Sequence, residues 1–203
     1  MCEINDITKK DCKIDIIDFS DKNLTLLPNI PSNLIVINLD CSINKLTELP
    51  EILSVKVKIL NCSYNKLTKL PEILPVTLKI LNCSYNKLTE LPRKLPLLSL
   101  LYCSHNELIK LPSFRCLKLD EIDCSYNKLI ELPLLPSSIY LIDFSYNNII
   151  YISDANIKKL NLIDELLCSN NPFLNGYDDI YDYINKQLEF IKSNKIRYIE
   201  VIV

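Results

Sequence analysis

Six cysteines, Cys41, Cys62, Cys83, Cys103, Cys124 and Cys168, recur at near-regular spacing and are the residues of this chain best suited to chemistry. Thiolates ligate zinc and exchange disulfides, and one thiol per turn of a repeating strand fold would stand about 4.8 Å from the next. Packing is the preferred reading. Free cysteine is a small apolar core residue, and Phe19 and Phe144 occupy the same column. Side chains on parallel neighbours also point the same way, farther apart than the roughly 3.5–4.5 Å between Cβ atoms that a disulfide prefers. No metal and no cofactor is therefore expected. The only histidine, His105, lies between Ser104 and Glu107, a set that could serve nucleophilic or general-base catalysis. Yet every repeat carries a serine at that point, from Ser20 to Ser169. A serine repeated so often is better explained by strand-end hydrogen bonding, so no catalytic residue is assigned and the chain is expected not to be an enzyme.

Composition narrows the classes further. The chain has 203 residues, 48% hydrophobic and 24% charged, enough for a sizeable core. Lys and Arg number 23 against 25 Asp and Glu, a formal charge of -2, so no global attraction to nucleic acid or anionic membrane follows. The nine cysteines are odd in number and contain no C-x-x-C, which points away from a disulfide framework or zinc ribbon and toward a reducing compartment. The single glycine, Gly176, excludes glycine-rich phosphate loops. MCEINDITKKDCK at the amino terminus has no apolar core of signal-peptide length, and no stretch reaches about 18 apolar residues. A soluble cytoplasmic protein with no membrane contact is expected.

What must position these residues is a repeat. Asn44, Asn65, Asn86, Asn106, Asn127, Asn147 and Asn171 follow one another at intervals of 20, 21 or, once, 24 residues, the mark of a solenoid. Around Asn65 the frame reads Val57, Leu60, Cys62, Asn65, Leu67, an L-x-x-L-x-C-x-x-N-x-L pattern. It returns as Leu78, Leu81, Cys83, Asn86, Leu88, then as Leu98, Leu101, Cys103, Asn106, Leu108, and on to Ile139, Ile142, Phe144, Asn147, Ile149. Alternation sends Leu60 and Cys62 inward and Asn61 and Ser63 outward, a strand read at period two. The asparagine amide, donor and acceptor at once, can pair backbone groups where the chain turns. Pro28, Pro50, Pro71, Pro92, Pro112 and Pro133 then hold the return path extended and exclude a helix there.

The ends differ. Residues 1–13 are expected to form a short cap, and the first copy, Ile14 to Leu24, has Lys22 in place of the asparagine, so its turn should be less well satisfied. Ser153 or Asp154 can cap one or two helical turns in the longer interval. Ile180, Ile184, Leu188 and Ile191 recur at helical spacing and predict an amphipathic capping helix, followed by a final strand in IRYIEVIV at 196–203.

The repeated frame resembles the leucine-rich repeat family over eight copies spanning residues 14–173. The short L-P-containing repeats, such as LTELP at 46–50 and LTKLP at 67–71, are similar to the subclass found in secreted bacterial effectors. The resemblance implies a single α/β domain over 1–203: a right-handed solenoid with a parallel sheet on its concave face, an extended convex face and a helical cap over 174–203. The ubiquitin-ligase domain of some effectors would need sequence beyond residue 203, so its activity is not carried over.

The resemblance also implies contact with a protein partner through the concave face. Its expected residues are Ile59, Asn61, Tyr64, Lys66, Ile80, Asn82, Tyr85, Lys87, Leu100, Tyr102, His105, Tyr126 and Tyr146. Asp18, Asp21 and Asp40 on one side and Glu121, Asp123, Asp143 and Glu165 on the other suggest a partner with an apolar middle and basic ends. Such acids would interrupt a nucleic-acid platform built on the Tyr and Lys columns, so nucleic acid is not the expected ligand. A monomer is expected; the alternative is a scaffold that self-associates through its terminal strand.

Overall fold

A computed structural model describes residues 13–30, 35–51, 56–96, 98–114 and 118–200. Eight strands, β1 (Lys13–Asp18), β2 (Ile35–Asp40), β3 (Ile59–Asn61), β4 (Ile80–Asn82), β5 (Leu100–Tyr102), β6 (Glu121–Asp123), β7 (Leu141–Asp143) and β8 (Glu165–Leu167), form one sheet in chain order. Every neighbouring pair is parallel, and the frame of the repeat is the register of the sheet: Leu60, Leu81, Leu101, Ile122 and Ile142 stand in one row. All are buried, as are the cysteines one step along, so each strand contributes its inward residues to a continuous core. Parallel strands need a long crossover, usually helical. Here, among the described residues, the returns between β1 and β7 contain no helix, consistent with a proline in each that is unable to donate to a helical turn.

The asparagines join one turn to the next. Asn65 Oδ1 accepts from the Leu46 amide at 2.9 Å in the preceding turn, and its Nδ2 lies 3.0 Å from Cys41 O there and 3.2 Å from Cys62 O in its own turn. Asn86, Asn106, Asn127 and Asn147 repeat this pattern. The first copy is better satisfied than its Lys22 suggested. Asn44 reaches back across one repeat, accepting from the Lys22 and Leu24 amides and donating to Phe19 O at 2.8 Å. A turn depends on the next turn's asparagine as much as on its own.

The serines depart from simple alternation. Ser63 was expected to face outward, but Ser42, Ser63, Ser84, Ser104, Ser125 and Ser145 are buried. The strand has already ended by that residue, and the backbone swings into a left-handed turn at the next position.

At the carboxyl end, α1 (Asp154–Leu160) starts at Ser153, whose hydroxyl accepts from the Asn156 amide, as its position suggested. Asn156 is fully buried; its Oδ1 accepts from the Leu135 amide at 3.0 Å and its Nδ2 donates to Pro133 O at 2.9 Å. A 3₁₀ turn, Pro172–Leu174, leads to α2 (Ile180–Glu200). Ile180, Tyr183 and Ile184 of α2 are buried, Leu188 and Ile191 pack against the core, and Tyr183 meets Phe173 edge-on at 5.0 Å. The expected strand at 196–203 is not formed over 196–200, which continue α2. Neither glycine nor proline follows Gly176 to end a helix, and extending an existing helix adds a hydrogen bond for each residue fixed. Residues 201–203 lie outside the described residues, as does the expected cap over 1–13 apart from Lys13, which opens β1.

Candidate functional site

Outward residues of the strands form the open face of the sheet. Ile59 pairs in register with Ile80, and Ile80 with Leu100, so three aliphatic side chains lie side by side, each half-buried. Glu121, Leu141 and Glu165 continue the same row. The neighbouring outward row runs Asp18, Asp40, Asn61, Asn82, Tyr102, Asp123, Asp143. This second row has a duty that the sequence reading missed. Asp40 Oδ1 accepts from both the amide (2.9 Å) and the hydroxyl (2.6 Å) of Ser42, and Asp18, Asn61 and Asp123 hold Ser20, Ser63 and Ser125 the same way. These are Asx turns, in which a short polar side chain closes the backbone two residues on. The signal was present as the D/N-x-S triplet repeated at 18–20, 40–42, 61–63, 82–84, 123–125 and 143–145. β5 has Tyr102 instead, and beyond it the Ser104 hydroxyl turns to Ser84 Oγ at 3.2 Å. Tyr102 itself is half-buried; burial first and the Glu121 carboxylate second push its phenol up to about 12.

Tyr64, Tyr85, His105, Tyr126 and Tyr146 do not lie on the strands. They occupy the turn beyond them, every one left-handed with φ between 51° and 55°. Their rings form one continuous stack, with centroids 4.0 to 4.2 Å apart and planes within 13°. A residue with a Cβ is disfavoured there by about 1–2 kcal/mol, and ring contacts worth about 0.5–1.5 kcal/mol each offset that. A hydrogen bond with Tyr64 raises the phenol of Tyr85, and one with Tyr146 raises that of Tyr126. The expected concave residues thus fall into two groups: Ile59, Asn61, Ile80, Asn82, Leu100 and Tyr102 on the sheet, and the stacked rings at its rim with Lys66 and Lys87 exposed beside them.

The chemical candidates resolve by their surroundings. Ser104 is buried with its hydroxyl directed to Ser84, and Glu107 is ion-paired with Lys128 at 2.9 Å, which lowers its pKa. His105 has both ring faces covered, by Tyr85 and Tyr126. The six column cysteines are free thiols in the core; burial pushes Cys41, Cys83 and Cys168 up to about 12 and the others well above their ordinary value. Since metal binding and disulfide exchange need the thiolate, this environment works against both.

No family model matches the chain, and no curated protein matches it. Solved structures do. YopM from Yersinia enterocolitica WA-314 superposes with a TM-score of 0.60 at 31% identity, over 78% of this chain and 38% of that one. A Shigella effector LRR domain gives a TM-score of 0.53 at 32% identity, over 63% of this chain and 66% of its own length. YopM of Yersinia pestis, described as a leucine-rich effector protein, gives 0.59 at 27% identity, over 77% of this chain and 49% of that one. The chain therefore spans less than two thirds of each. What they share with it is a solenoid of short parallel-strand repeats.

Proposed function

The chain is a leucine-rich-repeat protein of the short-repeat, bacterial-effector kind, and from that premise we propose that it is a non-enzymatic interaction module whose concave sheet face contacts a protein partner. The observation that carries this is the in-register row Ile59, Ile80, Leu100, outward and half-buried on an open sheet. Aliphatic side chains aligned on a solvent-facing sheet favour association with something that covers them. Asn61, Asn82 and Tyr102 beside them add polar groups, and the ring stack with Lys66 and Lys87 forms the rim. The likeness to effector proteins supports a partner encountered in the cytoplasm of a host cell. Nucleic acid is disfavoured by geometry, since the interior rings of the stack present edges and no free face for a base. The self-associating scaffold relied on a strand over 196–203, and residues 196–200 are helical.

The test pairs two adjacent residues. Ile80→Glu places a charge in the outward row and should reduce capture of partner proteins from native-cell lysate by tenfold or more while leaving the thermal midpoint within a few degrees. Leu81→Ala, inward and fully buried, should do the reverse. Undiminished capture by Ile80→Glu would remove the concave face from consideration.

A further inference from the structure

Charge is distributed unevenly along the concave face, and the two acidic flanks are not equivalent. In the outer row the carboxylates of both flanks close serine turns, Asp18 and Asp40 on Ser20 and Ser42, Asp123 and Asp143 on Ser125 and Ser145; the flanks differ in the contact row, where Ile16 and Asn38 precede Ile59. On the carboxyl-terminal side Glu121 and Glu165 stand in the contact row itself, on either side of Leu141, with Asp123 and Asp143 in the next row. Four carboxylates on three adjacent strands, about 4.8 Å apart from strand to strand, repel one another. Exposed lysines flank β3 and β4 along the chain, Lys58 just before β3 and Lys66 and Lys87 after the turns that follow β3 and β4, while the corresponding Lys128 beyond β6 is paired with Glu107. The face therefore runs from basic-bordered and aliphatic over β3–β5 to acidic over β6–β8.

We propose that the concave face binds its partner in one direction only: an elongated protein segment lying across the strands, its apolar part over β3–β5 and its cationic end over β6–β8. This deepens the concave-face reading and rests on it. Cations over β6–β8 would relieve the repulsion among Glu121, Asp123, Asp143 and Glu165, whereas the same cations over β3–β4 would meet Lys58, Lys66 and Lys87; complementarity of this kind selects orientation as well as partner. A partner with basic groups at both ends, which the sequence alone suggested, would set one end over Ile16 and Asn38, where the contact row holds no carboxylate.

The probe is a synthetic fluorescent peptide with three isoleucines at one end and four arginines at the other, titrated into the full chain by anisotropy. A second version carries citrulline in place of arginine. Two further versions carry a benzophenone at either end. The arginine peptide should bind, with affinity at least tenfold lower for Glu121→Gln/Glu165→Gln and for the citrulline peptide. The benzophenone at the arginine end should crosslink within residues 118–170, and the one at the isoleucine end within 56–106. No measurable binding, no loss in the double variant, or reversed crosslinks would overturn the proposal. If Ile80→Glu abolishes binding and the double variant does not, the concave contact stands and its direction falls; if neither variant changes affinity, both readings fall.

Discussion

Tyr85 and Asn86 are adjacent in the chain, and each belongs to a column that climbs the solenoid, yet the two columns live in opposite environments. Asn86 turns inward and links two repeats through backbone groups at 2.9 to 3.2 Å. Tyr85 turns outward, 39% exposed, and its ring stacks on the neighbouring rings of its own column. The cysteines share the asparagine's side, fully buried in the core. Repetition alone thus says little about role. The inner columns are repeated because each turn leaves the same backbone groups needing a partner; the outer one is repeated because rings that share a left-handed turn can stack.

Four measurements bear on this contrast. The largest effect should come from alkali. A buried thiol raised to about 12, as for Cys41 and Cys83, against about 8.5 in the unfolded chain, contributes stability that is fully present below pH 8.5. That contribution is lost as pH rises toward 12, at about 1.4 kcal/mol per pH unit per thiol. With six thiols in the column, the denaturant midpoint should fall steeply between pH 8.5 and 10.5; a flat profile would mean that the column is open to water.

Next in size, Leu81→Ala should cost about 2–5 kcal/mol by leaving a cavity. Asn86→Ala should cost about 1–3 kcal/mol through stranded backbone groups, whereas Lys87→Ala, exposed beside it, should fall within about 0.5 kcal/mol. Equal effects at 86 and 87 in chemical denaturation would erase the distinction between the columns.

The smallest effect sharpens the outer column. The outward position of Tyr85 suggests an innocuous truncation, but its contacts with Tyr64 and His105 make Tyr85→Ala cost about 1–2 kcal/mol. Tyr85→Asn should recover about half of that, because asparagine tolerates the left-handed turn. Should the alanine and asparagine variants melt alike, the stack and not the backbone would account for the whole loss.

Much of this architecture was legible in the chain. Leu60, Cys62 and Asn65, with their copies, named the inward row, the core column and the turn, because period-two alternation and an obligatory backbone partner leave few other arrangements. The helix spacing of Ile180 and Ile184 was equally plain. The candidate site was legible only in its sheet residues. Tyr64 and Ile59 looked like members of one face, yet a left-handed turn separates them. Asp40 and Asp123 looked like free surface charge, yet each closes a serine turn. IRYIE was misread because β-branched and aromatic residues are weak evidence for a strand beside a helix already under way.

The order of strands, their register and the composition of the core follow from the spacing of leucine, cysteine and asparagine, since a period of about 21 residues admits one way to bury every apolar face. Burial of Ser63, stacking of the five rings and the pairing of Asn156 with the Leu135 amide do not. The last two depend on residues 20 or 21 apart in sequence meeting across a turn, at distances set by the step of about 4.8 Å between strands, and the first two on a backbone dihedral that no residue type in the column announces.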